Sequence, residues 1–218
     1  MRKKFLSILA MTAFAVFAIS CGEKKNQTDA EAAKTEKSTT VEAVKFKVDT
    51  TDSQVDWKGS KVIGGSHNGT MNLSSGTFSV KEGKLESGNF IIDIASLNVL
   101  DIPAEDDKNA SLRGHLLSND FFDAENHGSA AFAVTGVIEK EGKTMIEGNL
   151  TLKGVKKNIS FPAKVTVEGD KAIIESETFT INRTDFGMKY GSASLADTVK
   201  DKAISDDVEL AVKVVGMK

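Results

Sequence analysis

Cys21 is the single cysteine in a chain of 218 residues, and its thiol is the most reactive group the sequence offers. With no second cysteine there is no disulfide, and nothing downstream can serve as a thiol nucleophile or a cysteine-based metal or redox site. The three histidines, His67, His115 and His127, lack a tight ligand spacing such as His-x-x-x-His, which argues against a metal centre. Hydrolysis fares no better, because no Gly-x-Ser-x-Gly elbow positions a serine and no cysteine stands ready for a histidine. The reactive residues thus point away from catalysis, and no cofactor motif is present. A net charge of −3, with acids and bases interspersed, gives no basic patch for nucleic acid or for a purely electrostatic membrane contact.

What remains for Cys21 is acylation. Arg2, Lys3 and Lys4 form a basic start, and residues 5–19 follow without a charge, the layout of a secretory signal. The run is shorter than the roughly 20 apolar residues a transmembrane helix needs. It ends in Ala18-Ile19-Ser20-Cys21, which reads as a lipobox whose cysteine takes diacylglycerol before cleavage; ordinary cleavage near Ser20, leaving a free thiol, is the other reading. Several acyl chains would hold the protein durably on a membrane, since one chain alone binds only marginally. Gly22, in place of the aspartate associated with inner-membrane retention, favours the outer membrane with the domain in the periplasm.

The elements that follow divide simply. Residues 1–20 are the signal peptide, 21–45 the lipidated cysteine and a tether, and 46–218 one folded domain. The stretch 22–45 is rich in Lys, Glu, Thr, Ala and Gln and has no aromatic residue, so it lacks the apolar area to offset ordering and reads as flexible. As a random coil it would hold the domain about 25 to 30 Å from the anchor.

The domain itself is patterned with period two. Phe90, Ile92 and Ile94 alternate with Asn89, Ile91 and Asp93, while Ile146, Leu150 and Leu152 alternate with Glu147, Asn149 and Thr151. Further strands are expected over 55–61, 69–73, 76–80, 131–138, 159–167, 172–181 and 208–215, with turn signals at Glu82-Gly83, Glu141-Gly142 and Glu168-Gly169-Asp170. This predicts an all-β meander closing into an antiparallel barrel of about eight strands, because closure removes aggregation-prone edges. Residues 101–127 break the alternation and carry Pro103, then Ala110-Ser111-Leu112 and Leu116-Leu117 at helical spacing, so a short helix over a barrel end or beside the sheet is expected there.

Three motifs now resemble a known family. Residues 112–123 (Leu-Arg-Gly-His-Leu-Leu-Ser-Asn-Asp-Phe-Phe-Asp), residues 148–155 followed by Phe161-Pro162, and Asn182-Arg183-Thr184-Asp185-Phe186-Gly187 are similar, in that order, to signatures of the YceI-like proteins. The resemblance runs from Phe46 almost to the end, and it departs from the family pattern at Asn126-His127-Gly128 and after Ser60, where Gly64-Gly65 falls at one barrel rim. It implies a lipocalin-like barrel with a long apolar cavity for a polyisoprenoid, an isoprenoid quinone or a similar lipid. Eight strands alone leave two options, an interior filled by side chains or one just wide enough for a slender ligand.

On that footing the cavity candidates are Trp57, Phe78, Phe90, Ile92, Ile94, Phe132, Leu150, Leu152, Phe161, Phe179 and Ile181, each also readable as plain core. Arg113, His115 and Arg183 are the candidates for a polar head group; a structural reading pairs His115 with Asp106, Asp107 or Asp120, and Arg183 with Asp185 or Asp207. The expected function is non-catalytic binding, storage or transport of a long-chain lipid in the cell envelope. The alternative is a lipid-anchored interaction module with a filled barrel and 101–127 as its partner surface. A homodimer is compatible with either.

Overall fold

The computed structural model describes residues 26–195 and 202–218. The leader and Cys21, with the expectations attached to them, lie outside the described residues. Among the described residues no helix is long and apolar enough to cross a membrane.

Alternating apolar residues and tight turns produce a meander. Strands β1 (Val44–Lys61), β2 (Ser66–Lys81) and β3 (Lys84–Val99) are followed by helix α1 (Asp107–Leu117), then β4 (Ser129–Lys140), β5 (Lys143–Leu152), β6 (Val155–Glu168), β7 (Lys171–Ser176), β8 (Phe179–Asn182) and β9 (Ile204–Met217). The order β1-β2-β3-β4-β5-β6-β7-β9-β8 closes through a β1–β9 pairing. Because β7 and β8 both pair with β9 as two pieces of one interrupted strand, the wall is an eight-stranded antiparallel barrel. Glu82-Gly83, Glu141-Gly142 and Lys153-Gly154 have positive φ at both residues, the signature of the two-residue hairpin turn whose twist matches the flanking strands.

Some boundaries differ from the sequence pattern for local reasons. The separate strands expected over 69–73 and 76–80 are one strand, β2, because Ser74-Ser75 is a register shift against β3 and not a turn. Conversely, the single strand expected over 172–181 is broken at Glu177-Thr178, where the Glu177 N–H turns to the Pro162 carbonyl (3.0 Å). From that point β8 parts from β6, leaving a seam beside residues 155–162 of β6 where the ladder of the wall lapses.

Residues 26–43, expected as free tether, fill that seam and continue around the outside as a strap. The Thr28 N–H donates to the Thr180 carbonyl (2.9 Å) and the Thr28 hydroxyl accepts from the Ser160 N–H (2.9 Å). Glu31 and Asn158 exchange both backbone bonds, at 2.9 Å each. The strap then crosses β5, where the Asn149 side chain accepts from the Lys34 N–H (2.9 Å) and donates to its carbonyl (2.7 Å). It reaches β4 through Lys37 N–H to the Val134 carbonyl (2.9 Å) and β3 through Thr40 N–H to Glu86 (2.8 Å). The folded body therefore begins near Asn26 and not at Phe46. The physical reason is that backbone groups, not apolar side chains, hold the strap, so a count of apolar residues misses it.

Candidate functional site

Inward positions of the strands converge on a belt of aromatic rings. Phe46, Phe78, Phe90, Phe132, Phe161 and Phe179 follow one another around the barrel with centroids 5.3, 6.0, 6.4, 5.4 and 4.4 Å apart. Offset and tilted contacts of this kind add stability beyond area burial. Gly148 makes room for one of them: a Cβ there would collide with the Phe132 ring.

Beside the belt runs an apolar cavity of about 360 Å³, within the size range of small-molecule sites. Leu85, Ile146, Ile174 and Val214, all buried, line one end, where Leu85 also borders a second pocket. At the other end the lining includes the exposed Lys61 and Gly65 and the half-exposed His67 and His115, which makes this the mouth. Of the cavity candidates, Trp57, Phe90, Ile92, Ile94, Phe132, Leu150, Leu152, Phe161, Phe179 and Ile181 line the space. Phe78 does not; it is buried off the cavity, stacked on Phe46. The sequence reading passed over Val208, Leu210, Val212 and Val214 of β9, which also line it, although their strict alternation carries the same signal as Phe90, Ile92 and Ile94.

Helix α1 caps part of the mouth. Asp106 starts it by accepting from the Lys108 N–H (2.9 Å), a normal N-cap. The buried Asn109 side chain donates to the Val99 and Ile102 carbonyls (3.1 and 2.7 Å), fixing the helix on the end of β3. Leu112, Leu116, Phe121 and Phe122 then face the cavity.

The three head-group candidates occupy different settings. Arg113 donates to the carbonyls of Leu97 (2.8 Å) and Ala95 (2.5 Å), so it pins α1 to β3 and is absent from the cavity lining. Arg183 is 2% exposed and donates to the carbonyls of Met188 (2.7 Å), Ser205 (3.0 Å) and Ile204 (3.3 Å). Its acid is Asp206 at 3.6 Å, not Asp185 or Asp207 as expected. Burial lowers the pKa of the Arg183 guanidinium, and the Asp206 charge counters it. Burial likewise pushes the Asp206 carboxyl up, but the Ser192 and Ser194 hydrogen bonds and the Arg183 charge outweigh it, leaving it below the usual range. Arg183 is thus a structural post under the mouth, with one face toward the cavity and the Phe121 ring 5.8 Å from its guanidinium carbon.

His115 is the exposed member. Its Nε2 meets Asp120 at 3.0 Å, and its ring stands edge-on to Phe121 and Tyr190, with centroids 5.1 and 4.8 Å away. Across the mouth His67 Nδ1 meets Asp101 at 2.7 Å. Burial raises the Asp101 pKa, yet the Asn68 N–H and His67 more than offset this and hold it below the usual carboxylate range. Among the described residues no group of three or more His, Cys, Asp or Glu is placed to hold a metal ion. The arrangement can hold an apolar chain along the barrel, with polar atoms confined to one end.

Known proteins share this architecture. Residues 46–216 match the model of the YceI-like domain. A UPF0312 protein of Pseudomonas putida is 30% identical over 185 residues, covering 81% of this chain and 88% of its own. A UPF0312 protein of Pseudomonas fluorescens is also 30% identical, over 82% of this chain and 88% of its own. Among solved structures, BcnA of Burkholderia cenocepacia superposes with a TM-score of 0.60 at 23% identity, covering 77% of this chain and 98% of its own. A polyisoprenoid binding domain from Saccharophagus degradans, implicated in plant cell wall breakdown, superposes with a TM-score of 0.55 at 16% identity over 79% of this chain and 97% of its own. With that domain model matched over residues 46–216 and relatives 30% identical over most of both chains, the chain belongs to the YceI-like family.

Proposed function

We propose that this protein is a non-catalytic binder of a long-chain apolar lipid, of the isoprenoid or isoprenoid-quinone class, working as a carrier or reservoir in the bacterial cell envelope. The observation that carries the reading is the cavity itself, lined mainly by apolar side chains, with His67, His115 and Arg183 among the few polar groups in its wall. The likeness to a domain described as polyisoprenoid binding supports the ligand class. In the same reading Cys21 carries the acyl anchor, probed by palmitate incorporation that disappears in Cys21→Ser.

The energetics suit a carrier. Burying a chain gains about 0.8 kcal/mol per methylene relative to water, and a bilayer offers nearly the same. Exchange between membrane and barrel is therefore close to neutral, and selection falls to cavity length, width and the polar end. Protein purified from a membrane-containing host is expected to show one bound long-chain lipid by native mass spectrometry. Ala130→Phe, which puts a ring into the cavity wall, should lower lipid occupancy while the barrel stays folded. Protein that is repeatedly empty and takes up no added isoprenoid would overturn the proposal in favour of a lipid-anchored interaction module.

A further inference from the structure

Two polar side chains in the cavity wall are buried, and their settings are opposite. Arg183 gives its guanidinium N–H groups to three carbonyls and faces Asp206. Trp57 is 8% exposed, and among the described residues its Nε1 has no hydrogen-bond partner. An indole nitrogen can only donate. Buried donors in folded proteins are nearly always paired, because one shut away from water without an acceptor costs free energy. Asp206 Oδ1 is the other buried atom without a hydrogen bond among the described residues, but the Arg183 charge lies 3.6 Å from it and Asp206 is not part of the cavity wall. Half-buried polar groups of the wall are engaged: Ser176 accepts from the Val212 N–H (2.8 Å), Ser205 from the Asp207 N–H (3.2 Å), and His67 and His115 meet their aspartates.

Register places the unmatched donor. Trp57 pairs with Gly69 of β2 and Leu210 of β9, and Leu210 pairs in turn with Phe179 of β8, so the four share one row of the wall. Gly69 lets the indole lie against β2, since a Cβ there would collide with the Trp57 ring and the Asn98 carbonyl. The rows on either side are apolar, Val55 with Met71 and Val212 on one, Gly59 with Val208 on the other. Lys61, the first cation of β1 that lines the cavity, stands four residues further out, roughly 13 Å of strand. An acceptor that meets Nε1 is therefore inside the barrel, among apolar side chains and with no free cation beside it. A diphosphate at that level would lose its water with nothing to balance its charge. An uncharged carbonyl fits, because it accepts a hydrogen bond and brings no charge.

We infer that Trp57 anchors the polar end of the bound lipid, its indole N–H donating to an uncharged carbonyl that sits within the wall and not out at the rim. The inference rests on the lipid-binding reading above and narrows it: among apolar chains the barrel selects those that end in a carbonyl, borne by a quinone ring or an ester. A chain without an acceptor leaves the buried N–H unpaired, and sites built around such a donor discriminate strongly against analogues of that kind.

The test uses full-chain protein carrying Cys21→Ser, so that no acyl chain competes for the cavity, stripped of lipid and offered four farnesyl compounds. These are a farnesyl-tailed benzoquinone, farnesyl acetate, the hydrocarbon farnesene and farnesyl diphosphate. Trp57→Phe keeps a ring and removes the donor; it is expected to weaken quinone or ester binding roughly tenfold and to leave farnesene binding unchanged. Trp57 is the only tryptophan of the chain, so its indole N–H gives one proton resonance in the parent. That signal should move downfield and exchange more slowly with the quinone or the ester, and not with farnesene. Whichever carbonyl compound shows both effects identifies the source the pocket takes. Equal weakening of all ligands by Trp57→Phe, an unmoved indole signal in the quinone and ester complexes, or diphosphate bound more tightly than both, overturns the anchor and leaves the lipid-binding reading standing. A parent that takes up none of the four retires that reading, and the anchor with it.

Discussion

Arg183 shows what a single inward charge does in this barrel. Its guanidinium satisfies the carbonyls of Met188, Ile204 and Ser205 and faces Asp206, so removing it strands several buried acceptors together. Arg183→Met is expected to cost about 3–5 kcal/mol in urea unfolding, the range for breaking one side of a buried pair. Arg113→Met, at a half-buried helix surface, should cost clearly less, although the sequence offered both as head-group candidates. Alternation after Ile181 made the inward position of Arg183 legible, but not its partner. Asn182 is paired with Asp207 in the β8–β9 ladder, so Asp206 falls on the opposite face, the one Arg183 takes. A register shifted by one residue exchanges these faces, and one strand's sequence does not carry the register of its neighbour.

Strands were the most legible elements, because apolar alternation in β3 and β5 coincides with burial over their inner faces. The strap was the least legible. Its recognition groups are backbone amides, met by the Asn149 side chain and the Asn158 carbonyl, and both residues sit on the outer face where polar residues announce nothing unusual. Both are nonetheless 2% exposed, and Asn158 Nδ2 donates to Thr135 (2.9 Å) and to Asn149 (3.1 Å) under the strap. Asn158→Ala is expected to destabilise the protein by about 1–3 kcal/mol, the usual result of orphaning buried polar partners. Amide exchange checks the mechanism: Thr28, Glu31, Lys34 and Lys37 N–H groups should be protected in the parent, with Lys34 losing protection first in the variant. Rapid exchange at all four in the parent would mean that the strap does not stay docked. The Gly148→Ala variant tests the aromatic belt in the same way, since its methyl displaces the Phe132 ring and should lower the melting temperature.

The whole molecule inherits a pH dependence from its mouth. Asp101 and Asp206 have folded pKa values below their ordinary ones, so the folded state binds fewer protons than the unfolded chain as the pH falls. Their contribution to stability is complete above roughly pH 4 and fades as the pH falls through the lowered folded values. Thermal melts across the acid range should show this limb, and Asp206→Asn or Asp101→Asn should flatten it while lowering stability at neutral pH. An acid limb identical in parent and variants would place the sensitivity elsewhere.

The docked strap also sets a working radius. A free tether from Cys21 to Lys45 would let an anchored barrel sweep about 25 to 30 Å, whereas a strap bonded from Asn26 onward leaves five residues and at most about 17 Å. That is less than the length of the barrel, whose β1 alone contains 18 residues, about 60 Å of strand before tilt. Under the proposed acyl anchor on Cys21, a body on so short a leash would stay beside the leaflet that holds it. In that reading it would trade with lipids drifting past or with visitors that come to it, and only undocking of the strap would extend its range.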